Sequence, residues 1–242
     1  MIDSGTVKWF NDAKGIGFII SDIDGKQVFA EKWKVKTEPQ TLFEFQKVKF
    51  NRVDGSLGLE AEDIEVTETQ DLSFYDHEMI SLKGERIHFS QYLGQVVLVV
   101  NTASKCGLTP QYESLEKLHQ LYKDKGLAVI AFPTNNFAGQ EPLANNEIES
   151  FCKVNYGVTF KVMEKINCVN KDSTQPGQQI EDTNNQVHSL YKLLAEKTGQ
   201  TPQWNFHKYL INCVGSTVLS FDHVTDPLDL TVEIEKLLED TL

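Results

Sequence analysis

Cysteine is scarce in this chain: four residues, at positions 106, 152, 168 and 213, among 242. That is too few for a disulfide scaffold, and no two of them stand at zinc-ligand spacing. No metal is expected, and a reducing cytoplasm is the natural setting. Long apolar runs are missing as well. No stretch approaches the roughly 20 residues of a membrane span, and the N-terminus, MIDSGTVKWF, has no apolar signal core. Neither membrane insertion nor export is expected. Basic charge is in deficit, with a net charge of −12, which argues against simple electrostatic binding of nucleic acid or of an anionic membrane. Internal repeats are absent. What remains, 40% hydrophobic and 10% aromatic residues, suffices for a packed core in one large domain or two unequal ones.

The stretch from Gln95 to Thr109, QVVLVVNTASKCGLT, organises the larger part of the chain. Val96 to Val100 reads as a strand buried on both faces. A helix is expected next, with Thr109 as cap, Pro110 in its first turn, Leu115, Leu118 and Tyr122 on one face and Gly126 at its end. A second buried strand follows from Leu127 to Phe132. Strand, helix, strand implies a parallel pair with a right-handed crossover. Cys106 then lies where the first strand gives way to the helix, the edge where open α/β sheets bind ligands. A helix N-terminus and the neighbouring Lys105 both favour the thiolate, which is the nucleophile. A dithiol exchange enzyme would carry a second Cys three places on; here that residue is Thr109. A lone Cys in such a place is either a small buried hydrophobe or a solitary attacking sulfur.

Residues 1–66 read differently, as an all-β domain. Short alternating runs (GTVKWF, GIGFII, QVFAEK, QKVKFNRV, LGLEAEDIEV) are separated by turn signals at Asn11-Asp12, Asp24-Gly25 and Asp54-Gly55. Five strands in so short a span suggest a small OB-type barrel. Residues 67–73, TETQDLS, form a polar linker, and residues 74–242 a second domain. There, Glu78 to Leu82 and Arg86 to Phe89 flank Lys83-Gly84 as a hairpin. Further on come a helix from Glu147 to about Asn155 capped by Asn145 or Asn146, and an exposed loop from Asn170 to Gln186. A helix from Val187 to Lys197, strands from Trp204 to Ile211 and Thr217 to Phe221, and a helix from Leu228 to Leu238 complete the chain.

Lys8-Trp9-Phe10, then Lys14-Gly15-Ile16-Gly17-Phe18-Ile19, then Val28-Phe29 resemble a cold-shock domain over the whole first segment. The resemblance implies single-stranded RNA or DNA stacked on aromatics, with lysines at phosphates; the matching positions are Lys8, Trp9, Phe10, Lys14, Phe18 and Phe29. Departures weaken that surface. Ile16 stands where the family has an aromatic, and Glu31 and Lys32 where it has His and Phe. Residues 1–66 carry nine Lys and Arg against twelve Asp and Glu, so only weak binding, or a purely structural barrel, is expected.

Cys106 lies in VNTASKCGLTPQY, Gln140 in FPTNNFAGQEP, and Trp204-Asn205 in WNFHKYL. With NYGVTF and the final helix, these motifs resemble a glutathione peroxidase of the cysteine type, from about Phe74 to the C-terminus. The resemblance implies a thioredoxin fold, a tetrad at Cys106, Gln140, Trp204 and Asn205, and reduction of hydrogen peroxide and organic hydroperoxides in the response to oxidative stress. Neutral amide and indole donors suit that chemistry, because they can bond a thiolate without titrating near neutral pH. Thr134 stands where the family often has Cys, and Lys161 where it has Pro. In thioredoxin-dependent members a resolving Cys lies on the helix after the Gln loop. Cys152 is there, one residue before the usual place, so local unwinding has to absorb about 100° of rotation. Cys168 is a lesser candidate, and Cys213 reads as structural. Thioredoxin is the expected reductant, glutathione the second, with no bound cofactor. The alternative is a nucleic-acid-associated redox sensor using the same cysteine.

Overall fold

The computed structural model describes residues 1–38, 40–56, 58–67, 71–170 and 186–239. Residues 68–70 of the expected linker and 171–185 of the expected exposed loop lie outside the described residues. The chain divides into two compact units, one ending at Asp71 and one beginning at Leu72.

In the first unit, β1 (Ile2–Asn11), β2 (Ile16–Ser21), β3 (Gln27–Glu31), β4 (Lys47–Gly55) and β5 (Gly58–Val66) close a barrel in the order β1-β2-β3-β5-β4. Alternation sends Val7, Ile19, Val28, Ala30, Val48 and Phe50 into the core. It sends Phe18 and Phe29 to the opposite face, and a bulge in the β1–β2 pairing between Val7 and Trp9 turns Trp9 to that face as well. Gly17 is required by close approach: a Cβ there would stand 2.4 Å from the Trp9 carbonyl oxygen.

The second unit begins with the expected hairpin, β6 (Glu78–Ile80) against β7 (Arg86–His88), turned by Gly84 at φ 76°. Its centre is a five-stranded sheet in the order β10-β9-β8-β11-β12. β8 (Val96–Thr102) and β9 (Leu127–Pro133) are parallel neighbours; β10 (Lys161–Val162) extends the parallel side. β11 (Lys208–Ile211) runs antiparallel to β8, and β12 (Val218–Phe221) antiparallel to β11. Every residue of β8 and β9 is buried. Val96, Leu98 and Val100 pack with Leu115 and Leu118 of α1 (Gln111–Tyr122) and Ile234 of α4 (Thr231–Glu239). Val97 and Val99 pack on the other face with Leu190 and Leu194 of α3 (Ser189–Thr198). An apolar run without alternation is the sequence trace of a strand covered on both sides.

Several element ends differ from the sequence expectations. Thr109 does not cap α1; its hydroxyl turns back and donates to the Ala103 carbonyl at 2.9 Å. α2 (Asn145–Tyr156) starts earlier than expected, with Ala144 at its cap position, because the Glu147 carboxylate accepts the Ala144 amide at 2.8 Å. α3 is capped by His188, whose ring accepts from the Leu190 amide. The strand expected from Trp204 begins only at Lys208, since Phe206 sits at φ 70° and breaks extension. The last helix is preceded by a 3-10 turn, Pro227–Leu230.

Candidate active site

Three segments meet at one end of the sheet. β8 and β9 are parallel, so the segments after Thr102 and after Pro133 leave from the same edge. β11 is antiparallel to β8, so the residues before Lys208 arrive there too. This is the C-terminal edge of the parallel strands, the usual place for a ligand in an open α/β sheet. Cys106, Gln140 and Trp204-Asn205 occupy these three segments.

The Cys106 loop is held from within. Thr109 Oγ1 accepts from the Cys106 amide at 3.0 Å while donating to Ala103. The position where a dithiol enzyme has its second Cys thus carries a hydroxyl that fixes the backbone of the first. The Leu108 amide donates to Cys106 Sγ at 3.4 Å. Cys106 is 9% exposed, and a Cβ on neighbouring Gly107 would meet open space. The sulfur is sheltered beside an open approach.

Gln140 ends a loop turned by two successive left-handed residues, Ala138 (φ 54°) and Gly139 (φ 63°). For Ala138 this conformation is costly, and it aims the chain at the Cys106 loop. There the Lys105 amide donates to the Gln140 carbonyl at 2.9 Å, and Ser104 Oγ donates to the Glu141 carboxylate at 2.8 Å. The buried Asn205 donates through Nδ2 to Gln140 Oε1 at 3.0 Å. The Trp204 ring lies 5.7 Å from that of Phe137, and it packs against the apolar cluster that contains Cys106.

Asn101, fully buried, gives the turn at Trp204-Asn205 its shape. Its Nδ2 donates to the Trp204 carbonyl at 3.0 Å, and its Oδ1 accepts from the His207 amide at 3.0 Å. The sequence reading missed this residue. Its trace was visible, a lone amide at the end of VVLVV, where a buried polar group has to find partners.

The other cysteines separate by face. Cys152 on α2 belongs to the same apolar cluster as Cys106, and Cys168 to the cluster on the opposite face of the sheet. Burial pushes the Cys152 thiol up to about 11 and that of Cys168 up to about 12. Cys213 is buried in the turn after β11, at the far end of that strand from Asn205. None of the four is joined in a disulfide.

On the barrel, Trp9, Phe18 and Phe29 stand in register across β1, β2 and β3, with ring centroids 5.7 and 5.6 Å apart. Phe10 does not join them; it pairs with Gly17 and packs against the barrel core. Lys8 and Lys14 are exposed. Lys32 is engaged by Asp12 at 2.6 Å. Buried Lys34 is ringed by Glu60, Glu31 and Glu62 at 3.0, 3.4 and 3.8 Å. Glu60 is the strand partner of Phe29, so one end of the aromatic row is acidic.

The second unit is thus a thioredoxin-fold thiol protein with one cysteine at its β8–α1 junction and an amide pair beside it. Residues 74–180 match the family model "Glutathione peroxidase", and residues 3–67 the model "'Cold-shock' DNA-binding domain". A "Glutathione peroxidase" of Lactococcus lactis subsp. cremoris is 42% identical, over 69% of this chain and 100% of its own length. The "Glutathione peroxidase-like peroxiredoxin 2" of Saccharomyces cerevisiae is 44% identical, over 69% of this chain and 97% of its own. The crystal structure of Trgpx in its apo form superposes with a TM-score of 0.52 at 31% identity, covering 71% of this chain and 96% of that one. The chain belongs to the glutathione peroxidase family, peroxidases among the oxidoreductases, and carries a cold-shock-type barrel ahead of that domain.

Proposed function

We propose that the chain is a thiol peroxidase in which Cys106 attacks hydrogen peroxide and organic hydroperoxides. The thiolate takes one peroxide oxygen and becomes a sulfenic acid, the O–O bond breaks, and the leaving alkoxide or hydroxide is protonated. Gln140, Asn205 and the Trp204 indole supply hydrogen bonds to the thiolate and the leaving oxygen. The observation that carries this reading is the Asn205–Gln140 bond formed directly beside the Cys106 loop.

Cys152 then closes a disulfide with Cys106, and thioredoxin reduces it; glutathione is the second choice. Two features support Cys152 over Cys168. It shares the Cys106 cluster, and it lines a surface cavity of about 300 Å³ with Lys83, Glu149, Lys153 and Phe160, through which a reductant can approach. A disulfide needs Cα atoms within about 7 Å, so the end of α2 loosens in the oxidised form. Cysteines outside any disulfide fit a reducing cytoplasm. The barrel acts as a weak binder of single-stranded RNA or DNA.

The deciding experiment is a coupled peroxide assay with thioredoxin or glutathione as sole donor, run on the full chain and on Cys106→Ser. Turnover with thioredoxin that vanishes in the variant is expected. Near-parental turnover in Cys106→Ser sinks the reading. A single oxidation with no repeated turnover marks a redox sensor instead. Peptide mapping after one equivalent of peroxide should find Cys106 joined to Cys152; a link to Cys168, or an unresolved sulfenic acid, removes Cys152 from the cycle.

A further inference from the structure

Behind the Cys106 loop lies a buried polar cluster that the steps above leave unused. Thr102, Tyr112 and Glu141 are each 0% exposed and Cys152 is 2% exposed. Glu141 Oε2 accepts from Ser104, and the Glu141 amide donates to Asn135 Oδ1 at 2.9 Å. Its other oxygen, Oε1, has no hydrogen-bond partner among the described residues, and neither have the Tyr112 and Thr102 hydroxyls. Native interiors pair nearly all of their polar atoms, so three such oxygens in one buried cluster, with the Tyr112 hydroxyl facing a thiol, call for a reason. The Tyr112 hydroxyl faces both the Cys152 thiol and Thr102, without a hydrogen bond of normal geometry to either. A charge on Glu141 is felt at both Tyr112 and Cys152.

The chemistry supplies the reason. With its thiol held up at about 11 by burial, Cys152 is almost wholly protonated at neutral pH and is a poor nucleophile. It needs a base. Burial also raises the Glu141 carboxyl above its ordinary range, a shift opposed by Ser104 and by the charge of Lys165, and a raised carboxyl is a better proton acceptor near neutrality.

We propose that Glu141 accepts the proton of Cys152, with the Tyr112 hydroxyl as relay, when Cys152 closes the disulfide with Cys106. This rests on Cys152 being the resolving residue. The Cys152 S–H bond breaks and its proton passes to the Glu141 carboxylate. The electron pair left on sulfur forms the S–S bond, and the S–O bond of the Cys106 sulfenic acid breaks. The departing hydroxide takes a proton from solvent and leaves as water, and Glu141 gives the proton of Cys152 back to solvent, so protons balance. The Cys152 sulfur is oxidised, the sulfenic sulfur is reduced, and no outside reagent is consumed. Once Cys152 has lost its proton, a thiolate in an apolar cluster is costly, which favours its exit from the packed end of α2 toward Cys106.

The test is a single turnover of the reduced full chain with one equivalent of hydrogen peroxide. Quenched samples are scored by mass spectrometry for sulfenic acid and for disulfide, from about pH 6 to about pH 9. Glu141→Gln keeps an acceptor for the Ser104 hydroxyl but cannot take a proton. In it, closure is expected to slow about tenfold or more beyond any change in sulfenic acid formation. Its closure rate should also climb with pH toward the Cys152 ionisation, where the parent, with Glu141 ionised as its base, depends less steeply on pH. Other charges near Cys152 line its cavity (Lys83, Glu85, Glu149, Lys153 and Lys161) and are common to both proteins. Tyr112→Phe should change closure in the same direction, and it carries the test if Glu141→Gln does not fold. Parental closure rate and pH profile in the folded variants overturn the proposal while leaving Cys152 as resolving residue. Absence of a Cys106–Cys152 disulfide in the parent overturns the resolving assignment and the proposal with it.

Discussion

Asn205 donates its side-chain N–H to Gln140 Oε1 at 3.0 Å, joining residues 65 positions apart at the edge of the sheet beside Cys106. The bond fixes the sense of the Gln140 amide. With Oε1 engaged, Nε2 is the end left to donate toward a reacting sulfur or oxygen, and Gln140 is held there by a residue that is itself fully buried.

Gln140→Ala and Trp204→Ala should each slow the oxidation of Cys106 by roughly ten- to a thousandfold, the range for removing a donor to developing charge. Stopped-flow mixing with peroxide measures this before any reductant acts. Unchanged rates in both folded variants reduce the two residues to scaffolding.

Asn101→Ala should act through the turn rather than the chemistry. It strands the Trp204 carbonyl and the His207 amide, both inside the fold. An unpaired buried backbone group costs about 1–3 kcal/mol, so a loss of roughly 3 kcal/mol is expected in urea denaturation. Oxidation of Cys106 should slow as well, because Trp204 and Asn205 lose their anchor. A stability within experimental error of the parent shows that the turn is held by other contacts.

The sequence made the elements of the sheet legible because an unbroken apolar run leaves few alternatives to a strand covered on both faces, as in Val96 to Val100. The barrel was legible through turn residues and alternation. What escaped were features set by distant partners. Thr109 reads as a helix cap by type, yet its hydroxyl is claimed by the Cys106 amide and the Ala103 carbonyl. Trp204 to His207 reads as strand by composition, but Asn101, a hundred positions earlier, bends it into a turn. The site residues were legible only as a joint pattern of motifs; no local periodicity reveals that Gln140 and Asn205 are bonded.

Lys208 offers a test of burial. It is 0% exposed, and its Nζ donates to the carbonyls of Asp222 and His223 at 3.5 Å each, and to that of Thr225. Burial lowers it to about 8, below the ordinary 10.5. The folded state therefore disfavours the charged form, and the full cost is present below pH 8. It is relieved as pH rises from 8 to 10.5, where the unfolded chain still holds the proton that the folded chain has lost. The buried thiols act oppositely: Cys152 and Cys168 are raised, so their contribution is lost as pH climbs above 9. The measurement is thus a difference, parent minus Lys208→Met, in denaturation free energy against pH. That difference should rise with pH above 8, by at most about 1.4 kcal/mol per unit. A flat difference means that the carbonyls offset the burial.

The barrel face sets two opposing expectations for single-stranded nucleic acid. Trp9, Phe18 and Phe29 form a continuous row of the kind on which bases stack, and Lys8 and Lys14 are exposed for phosphates. Against this, Phe10 is taken by the core, Glu31 and Glu60 lie at the Phe29 end, and Lys32 and Lys34 are engaged by carboxylates. Few cations are left to release counterions, so the complex should be weak, with a shallow salt dependence and little sequence preference. Binding no tighter than about micromolar at physiological salt is expected. Glu31→His with Lys32→Phe should tighten it by adding rings beside Phe29 and removing an acidic charge, with each stacked base contributing about 1–3 kcal/mol. Fluorescence anisotropy with a short labelled oligonucleotide reads both. Nanomolar binding by the parent would show that three aromatics outweigh the acidic rim. No binding even by the double variant would leave the barrel as a structural module, because a restored stacking surface would then have found nothing to hold.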